Sequence, residues 1–139
     1  MNEQQRMAKE FHERFGIYIH DYPSIQIPKN VKDLRIALLQ EEEQELEKAI
    51  HSDNLVGICD ALGDLLYVIY GTCVSFGIDI EPFFAEIHRA NMSKGDPTVI
   101  VAPDGKIIRA KNYSPPNLFP ILKQQLPQQE SSNIEIETT

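Results

Sequence analysis

The sequence predicts an all-α fold, a core of four helices followed by a small C-terminal β-hairpin. Three observations carry that prediction. Apolar residues recur at helical spacing through most of the chain up to Met92, asparagines and glycines stand where helices would start and stop, and two β-branched segments flank Pro103-Asp104-Gly105.

The elements follow in order. Met7, Phe11 and Phe15 lie four residues apart within 2–15, the spacing of one helix face, and Gly16 is placed to stop that helix. Residues 17–29 contain Pro23 and Pro28, each biasing its predecessor to extended geometry, so this stretch is a connecting loop. Asn30 is the expected cap of a second helix running to about Ile50, with Asp33 in its first turn. After the turn His51-Ser52-Asp53-Asn54, a third helix spans Leu55 to Phe76 and closes at Gly77, so the two form a helical hairpin. Asp79 or Glu81 caps a fourth helix with Pro82 near its start, Phe83, Phe84 and Ile87 turned inward, and an end near Met92. Residues 98–102 and 106–110 are the expected hairpin strands, a ribbon too small to stand alone and therefore laid on the helices or on a partner subunit.

Composition bounds the function. The chain has 139 residues with 13 basic against 21 acidic, a formal charge of −8, and 42% hydrophobic residues, which suits one domain over 1–125 with its own core. From Leu126 the composition turns to Gln, Ser, Glu and Thr, so 126–139 reads as a polar, disordered tail. Net negative charge without a Lys/Arg run argues against nucleic acid as a partner. The apolar stretch from Leu55 to Ile80 carries Asp60 and Asp64, which argues against a membrane span, and the start Met-Asn-Glu-Gln does not resemble a secretory signal, so the expected compartment is the cytoplasm. Cys59 and Cys73 would lie about 21 Å apart along one helix, beyond disulfide reach, and both are expected reduced and buried.

The chemistry concentrates in the hairpin. On the second helix an apolar stripe of Val31, Leu34, Leu38, Leu39, Leu46 and Ala49 also contains Glu42 and Glu45, with Glu41 at its edge and Glu43 and Glu47 pointing away. Ionised carboxylates on a core-facing stripe require protons, basic partners or a metal. On the third helix Asp53, Gly57, Asp60, Asp64, Val68, Gly71 and Ser75 share one stripe without a long side chain, which suggests close approach of another helix or a ligand. Folding the hairpin sets Glu42 and Glu45 across from Asp60 and Asp64. Hard oxygen donors without His or Cys select Mg²⁺ or Mn²⁺ and lead to phosphoryl chemistry. Arg89 and Lys94, at the end of the fourth helix, are the candidate phosphate contacts, and Asn91 is the candidate contact to a base or sugar.

The run Glu41-Glu42-Glu43-Gln44-Glu45, followed by Asp60-Ala61-Leu62-Gly63-Asp64, resembles the MazG-like all-α nucleoside triphosphate pyrophosphohydrolases. Their Glu-Glu-x-x-Glu maps onto Glu41, Glu42 and Glu45. Their Glu-x-x-Asp maps either onto Ala61 and Asp64 or onto Gly57 and Asp60, so neither register supplies the glutamate expected on the third helix, and both aspartates are retained. Tyr67 to Lys94, with Asp104-Gly105-Lys106, Asn112-Tyr113 and Pro115-Pro116, is similar to dUTPase-like members of that group. The resemblance implies a homodimer or homotetramer that hydrolyses a nucleoside triphosphate to the monophosphate and pyrophosphate. It implies Glu41, Glu42, Glu45, Asp60 and Asp64 as catalytic residues, with Glu42, Glu45, Asp60 and Asp64 holding Mg²⁺ and Tyr67, Arg89, Asn91 and Lys94 contacting substrate. The competing expectations are a phosphoribosyl-ATP pyrophosphohydrolase and a nonenzymatic acidic helical adaptor.

Overall fold

The computed structural model describes residues 1–95, 100–108 and 113–129. The chain divides into two compact units, Met1–Ile80 and Glu81–Thr139, a division that falls inside residues 1–125.

The first unit holds α1 (Glu3–Phe15), α2 (Lys29–His51) and α3 (Leu55–Phe76). Asn2 caps α1 by accepting from the Gln5 N–H at 2.8 Å, and Gly16 ends it with φ 67°. Asn54 caps α3 in the same way, accepting from the Gly57 N–H at 3.0 Å, and Gly77 ends it with φ 72°. The expected cap of α2 is corrected: the helix begins at Lys29, one residue before Asn30. The Pro28 carbonyl accepts its first turn and no side chain caps it. Asp33 instead meets Lys29 at 2.8 Å on the surface, where such a pair adds little stability.

α3 packs along both α2 and α1. Its own composition would let it cross a membrane by length and hydropathy; here it forms the middle of a helical unit. The face of α1 that turns inward is Gln5, Ala8 and His12, whereas Met7, Phe11 and Phe15, expected to share the core face, are 52%, 41% and 61% exposed. The reason is polar. Gln5 donates through Nε2 to the Ile78 carbonyl at 2.6 Å and accepts the Ile80 N–H at 3.1 Å, tying α1 to the segment after α3. Against α2, Gly71 is buried because a Cβ there would lie 2.5 Å from Arg35 Nη2 and 2.9 Å from His12 Nε2. Arg35, itself buried, donates to Thr72 Oγ1 at 3.2 Å and to the Val68 carbonyl at 2.9 Å. Cys73 is buried and its thiol is pushed up to about 11 by that burial, but Cys59 is exposed, against expectation, because it lies on the outward face of α3.

The loop between α1 and α2 closes the end of α3. Ser75, fully buried, donates through Oγ to the Tyr18 carbonyl, while the His20 and Ser24 N–H groups donate to the Val74 and Phe76 carbonyls. These bonds satisfy helix-end carbonyls that would otherwise lack partners.

The second unit holds α4 (Glu81–Met92), β1 (Ile100–Val101), β2 (Ile107–Ile108) and a short α5 (Phe119–Gln125) that the sequence reading did not anticipate. Phe83 is buried, but Phe84, expected inward, is 71% exposed and Ile87 is 39% exposed. All-α describes the molecule. The β-hairpin expected over 98–110 is not seen at that length: among the described residues the ladder is a two-residue bridge pairing Ile100 with Ile108 and Val101 with Ile107. Exposed Val101 and Ile107 give it little apolar support. Residues 98–99 and 109–110 of the expected strands, Asn112, and 130–139 of the expected tail lie outside the described residues.

Candidate active site

The α2–α3 hairpin opens into a cleft of about 400 Å³ at its turn end. From α2 it is lined by Glu42, Glu45, Lys48 and Ala49, residues that recur every three or four positions and therefore share one helix face. α3 contributes Gly57, Asp60, Ala61 and Asp64, and Ser52 and Asn54 close the turn. Four of the five expected catalytic carboxylates thus border one space. Glu41 is exposed and does not line it.

Charge follows position. The Glu42 carboxyl is held above the usual carboxylate range, first by partial burial and then by repulsion from Asp64, Glu41, Glu45 and Asp60. Acids on α2 and α3 therefore feel one another across the cleft. Among the described residues, no three His, Cys, Asp or Glu side chains converge closely enough to hold a metal ion in this arrangement of side chains. The donor set itself consists of carboxylate oxygens, three on exposed side chains and one on the half-buried Glu42, the chemistry that hard divalent cations take. Ala61, 5% exposed, places only a methyl group at the motif position three before Asp64, so Asp60 is the acid that accompanies Asp64 along this wall. At Gly57 a Cβ would meet Asn54 Nδ2 at 2.7 Å, so a side chain there would have to displace the Asn54 cap.

The other expected substrate residues lie elsewhere. Tyr67 is 44% exposed on α3 and meets Phe11 edge-on at 5.6 Å between ring centroids. In the second unit Arg89 pairs with Glu86 at 2.8 Å and also donates to the Pro115 carbonyl. The Arg89 guanidinium, with the Asn117 N–H, holds the Glu86 carboxyl down to about 2. Lys94 sits 5.2 Å from the Tyr113 ring centroid, a cation–π contact, and Asn91 is exposed. The structure therefore joins Glu42, Glu45, Asp60 and Asp64, while Arg89 and Lys94 are engaged within their own unit.

The sequence reading missed Lys48, Ser52 and Asn54 as cleft residues. Lys48 follows Glu45 by three positions but lies about 120° around α2 from Glu42, outside the stripe that placed the acids, so periodicity alone does not find it.

Comparison with known proteins adds a family. The model for phosphoribosyl-ATP pyrophosphohydrolase matches residues 8–91, a stretch that includes the whole hairpin. An uncharacterized protein of Acanthamoeba polyphaga mimivirus is 48% identical over 54 residues, 39% of this chain and 21% of that protein. The chain thus spans about a fifth of the length of the curated relative it matches.

Proposed function

Because this chain belongs to the phosphoribosyl-ATP pyrophosphohydrolase family, within the MazG-like all-α superfamily, we propose that its α2–α3 cleft splits a nucleotide polyphosphate to the monophosphate and pyrophosphate. The family implies an acid-anhydride hydrolase. The observation that supports this site is the gathering of Glu42, Glu45, Asp60 and Asp64 along one cleft, where partial burial and then the neighbouring acids raise the Glu42 carboxyl.

In this reading Glu42, Glu45 and Asp64 hold Mg²⁺ or Mn²⁺, and Asp60 takes the proton of the attacking water. The cation, when bound, polarises the phosphoryl oxygens and offsets their charge. The remaining work belongs to the chain. α2 and α3 fix the carboxylates on two rigid walls, and the Asn54 cap holds the start of α3 against the turn.

The family description favours phosphoribosyl-ATP as substrate, and dUTP-like deoxynucleotides are the second reading, resting on the similarity of residues 67–116. Pyrophosphate release across phosphoribosyl-ATP and a panel of canonical and deoxynucleoside triphosphates, with and without Mg²⁺, tests both. Metal-dependent release from one class selects it. No release from any, together with no Mg²⁺-dependent nucleotide binding by calorimetry, returns the protein to the acidic-adaptor class.

We also propose a homo-oligomer, located in the cytoplasm. Leu55, Val56, Leu62, Leu66 and Tyr67 on α3 are 44–80% exposed, as are Met7, Phe11 and Phe15 on α1 at 41–61%, and Phe11 meets Tyr67, so apolar side chains of both helices are open to a second copy. Light scattering coupled to size exclusion should return twice the chain mass or more.

A further inference from the structure

We propose that Lys48 binds phosphate, so that the turn end of the cleft takes the part of a polyphosphate that the carboxylate end does not hold. The inference rests on the pyrophosphohydrolase reading and adds to it the side chain that grips the phosphate chain.

The cleft is uneven along its length. Glu42, Glu45, Asp60 and Asp64 line the end away from the turn, whereas Lys48, Ser52 and Asn54 line the end beside it. Lys48 is the one basic side chain lining this cleft among the described residues. Among the described residues no ion pair engages Lys48, although Glu45 stands one turn before it.

Across the cleft from α2, position 57 carries no side chain. A Cβ on Gly57 would be 3.4 Å from Ala49 Cβ and 2.7 Å from Asn54 Nδ2, so a side chain there would displace the Asn54 cap. Lys48 borders this cleft and also a more open hollow lined by Gln44, Glu47, His51 and Ser52, so its flexible stem can reach the cleft. The rise from Glu45 to Lys48 is about 4.5 Å along α2, within the length of a di- or triphosphate, so one phosphate chain reaches both. An ammonium on a flexible stem acts on phosphate as a mobile point charge, which suits a group that must follow the chain as it breaks.

Calorimetry of the full chain with two probes tests this: Mg²⁺ alone, and adenosine 5′-(α,β-imido)triphosphate with Mg²⁺. Lys48→Met should weaken the imido analogue about tenfold or more, the scale of a lost charge-assisted contact, and leave Mg²⁺ affinity equal or tighter, because a positive charge beside the acids is gone. Lys48→Arg should recover most of the loss, which a purely structural role for the side chain would not produce. Analogue affinity in Lys48→Met within about twofold of the wild type, a loss that Lys48→Arg does not restore, or a parallel fall in Mg²⁺ affinity would each overturn the assignment while leaving the pyrophosphohydrolase reading standing. Failure of the wild-type chain to bind the analogue, and phosphoribosyl-ATP or dUTP in its place, with Mg²⁺ overturns both.

Discussion

The two halves of the α2–α3 contact start from one pattern and end in opposite states. Along α3, small or short side chains recur on a single stripe: Gly57, Asp60 and Asp64 toward the turn, Gly71 and Ser75 toward the far end. In the far half the stripe is buried, and the space left by Gly71 is filled by Arg35 and His12. In the near half the Asn54 cap and Ala49 close only the space beside Gly57, and the carboxylates line an open cleft. A stripe of small residues thus fixes where two helices leave room, while the side chains across from it decide whether that room becomes core or site. The far half tolerates a buried arginine because its N–H groups reach Thr72 and the Val68 carbonyl. The near half accumulates like charge, which a proton, a basic group or a cation would relieve.

The largest way to sharpen that contrast is to remove one acid from the open half. Glu45→Gln should lower pyrophosphate release by about 10²–10⁴-fold, the range for loss of a group that acts in the chemical step, with the helical circular-dichroism signal unchanged. Retained turnover at saturating Mg²⁺ would place Glu45 outside the catalytic set.

Filling the closed half should instead cost stability. In Gly71→Ala the added methyl would press on Arg35 and His12, an overpacking expected to cost about 1–3 kcal/mol by urea denaturation. Gly63→Ala is the control on the same helix, where a Cβ meets nothing within 4 Å, and should stabilise by about 0.5–1 kcal/mol. Equal effects at the two positions would break the distinction.

Acid gives the smallest effect and again reports on the closed half. His12 is buried, and that burial lowers its pKa, with the Arg35 charge adding to it, although the bond from Nδ1 to the Tyr18 carbonyl pulls the other way. The folded ring is therefore neutral where the unfolded one already takes a proton. Stability from this residue is complete above the unfolded pKa of about 6.5 and drains away as pH falls toward the lower folded value, by at most about 1.4 kcal/mol per pH unit. Denaturation series between pH 7 and pH 5 on the wild type and His12→Gln should diverge in that direction.

Helix ends were the most legible part of this fold in its sequence. Gly16 and Gly77 stop α1 and α3 as their position suggested, because a residue with positive φ after an apolar run has few alternatives. The acidic faces of α2 and α3 were legible too, since angle along a helix is arithmetic. What periodicity cannot supply is which side of an amphipathic element meets protein. Met7, Phe11 and Phe15 mark a face of α1, yet Gln5 and His12 face inward, because backbone carbonyls of Ile78 and Tyr18 wait there for donors. Arg35 was passed over for the same reason: its acceptors lie on α3, more than thirty positions away in the chain. The start of α2 slipped by a residue because Pro28, lacking any capping side chain, could begin the helix through its carbonyl alone.

Gly77 has a consequence for how this chain tolerates change. With φ 72° and the Tyr22 carbonyl directly where a side chain would grow, it is shut to every other amino acid both by backbone conformation and by space. A library randomised at this codon and selected for soluble folded protein should return a single letter, while neighbouring Ile78 accepts several. The seal between the α1–α2 loop and the end of α3 is thus guarded by the smallest residue available, at a point remote from any chemistry.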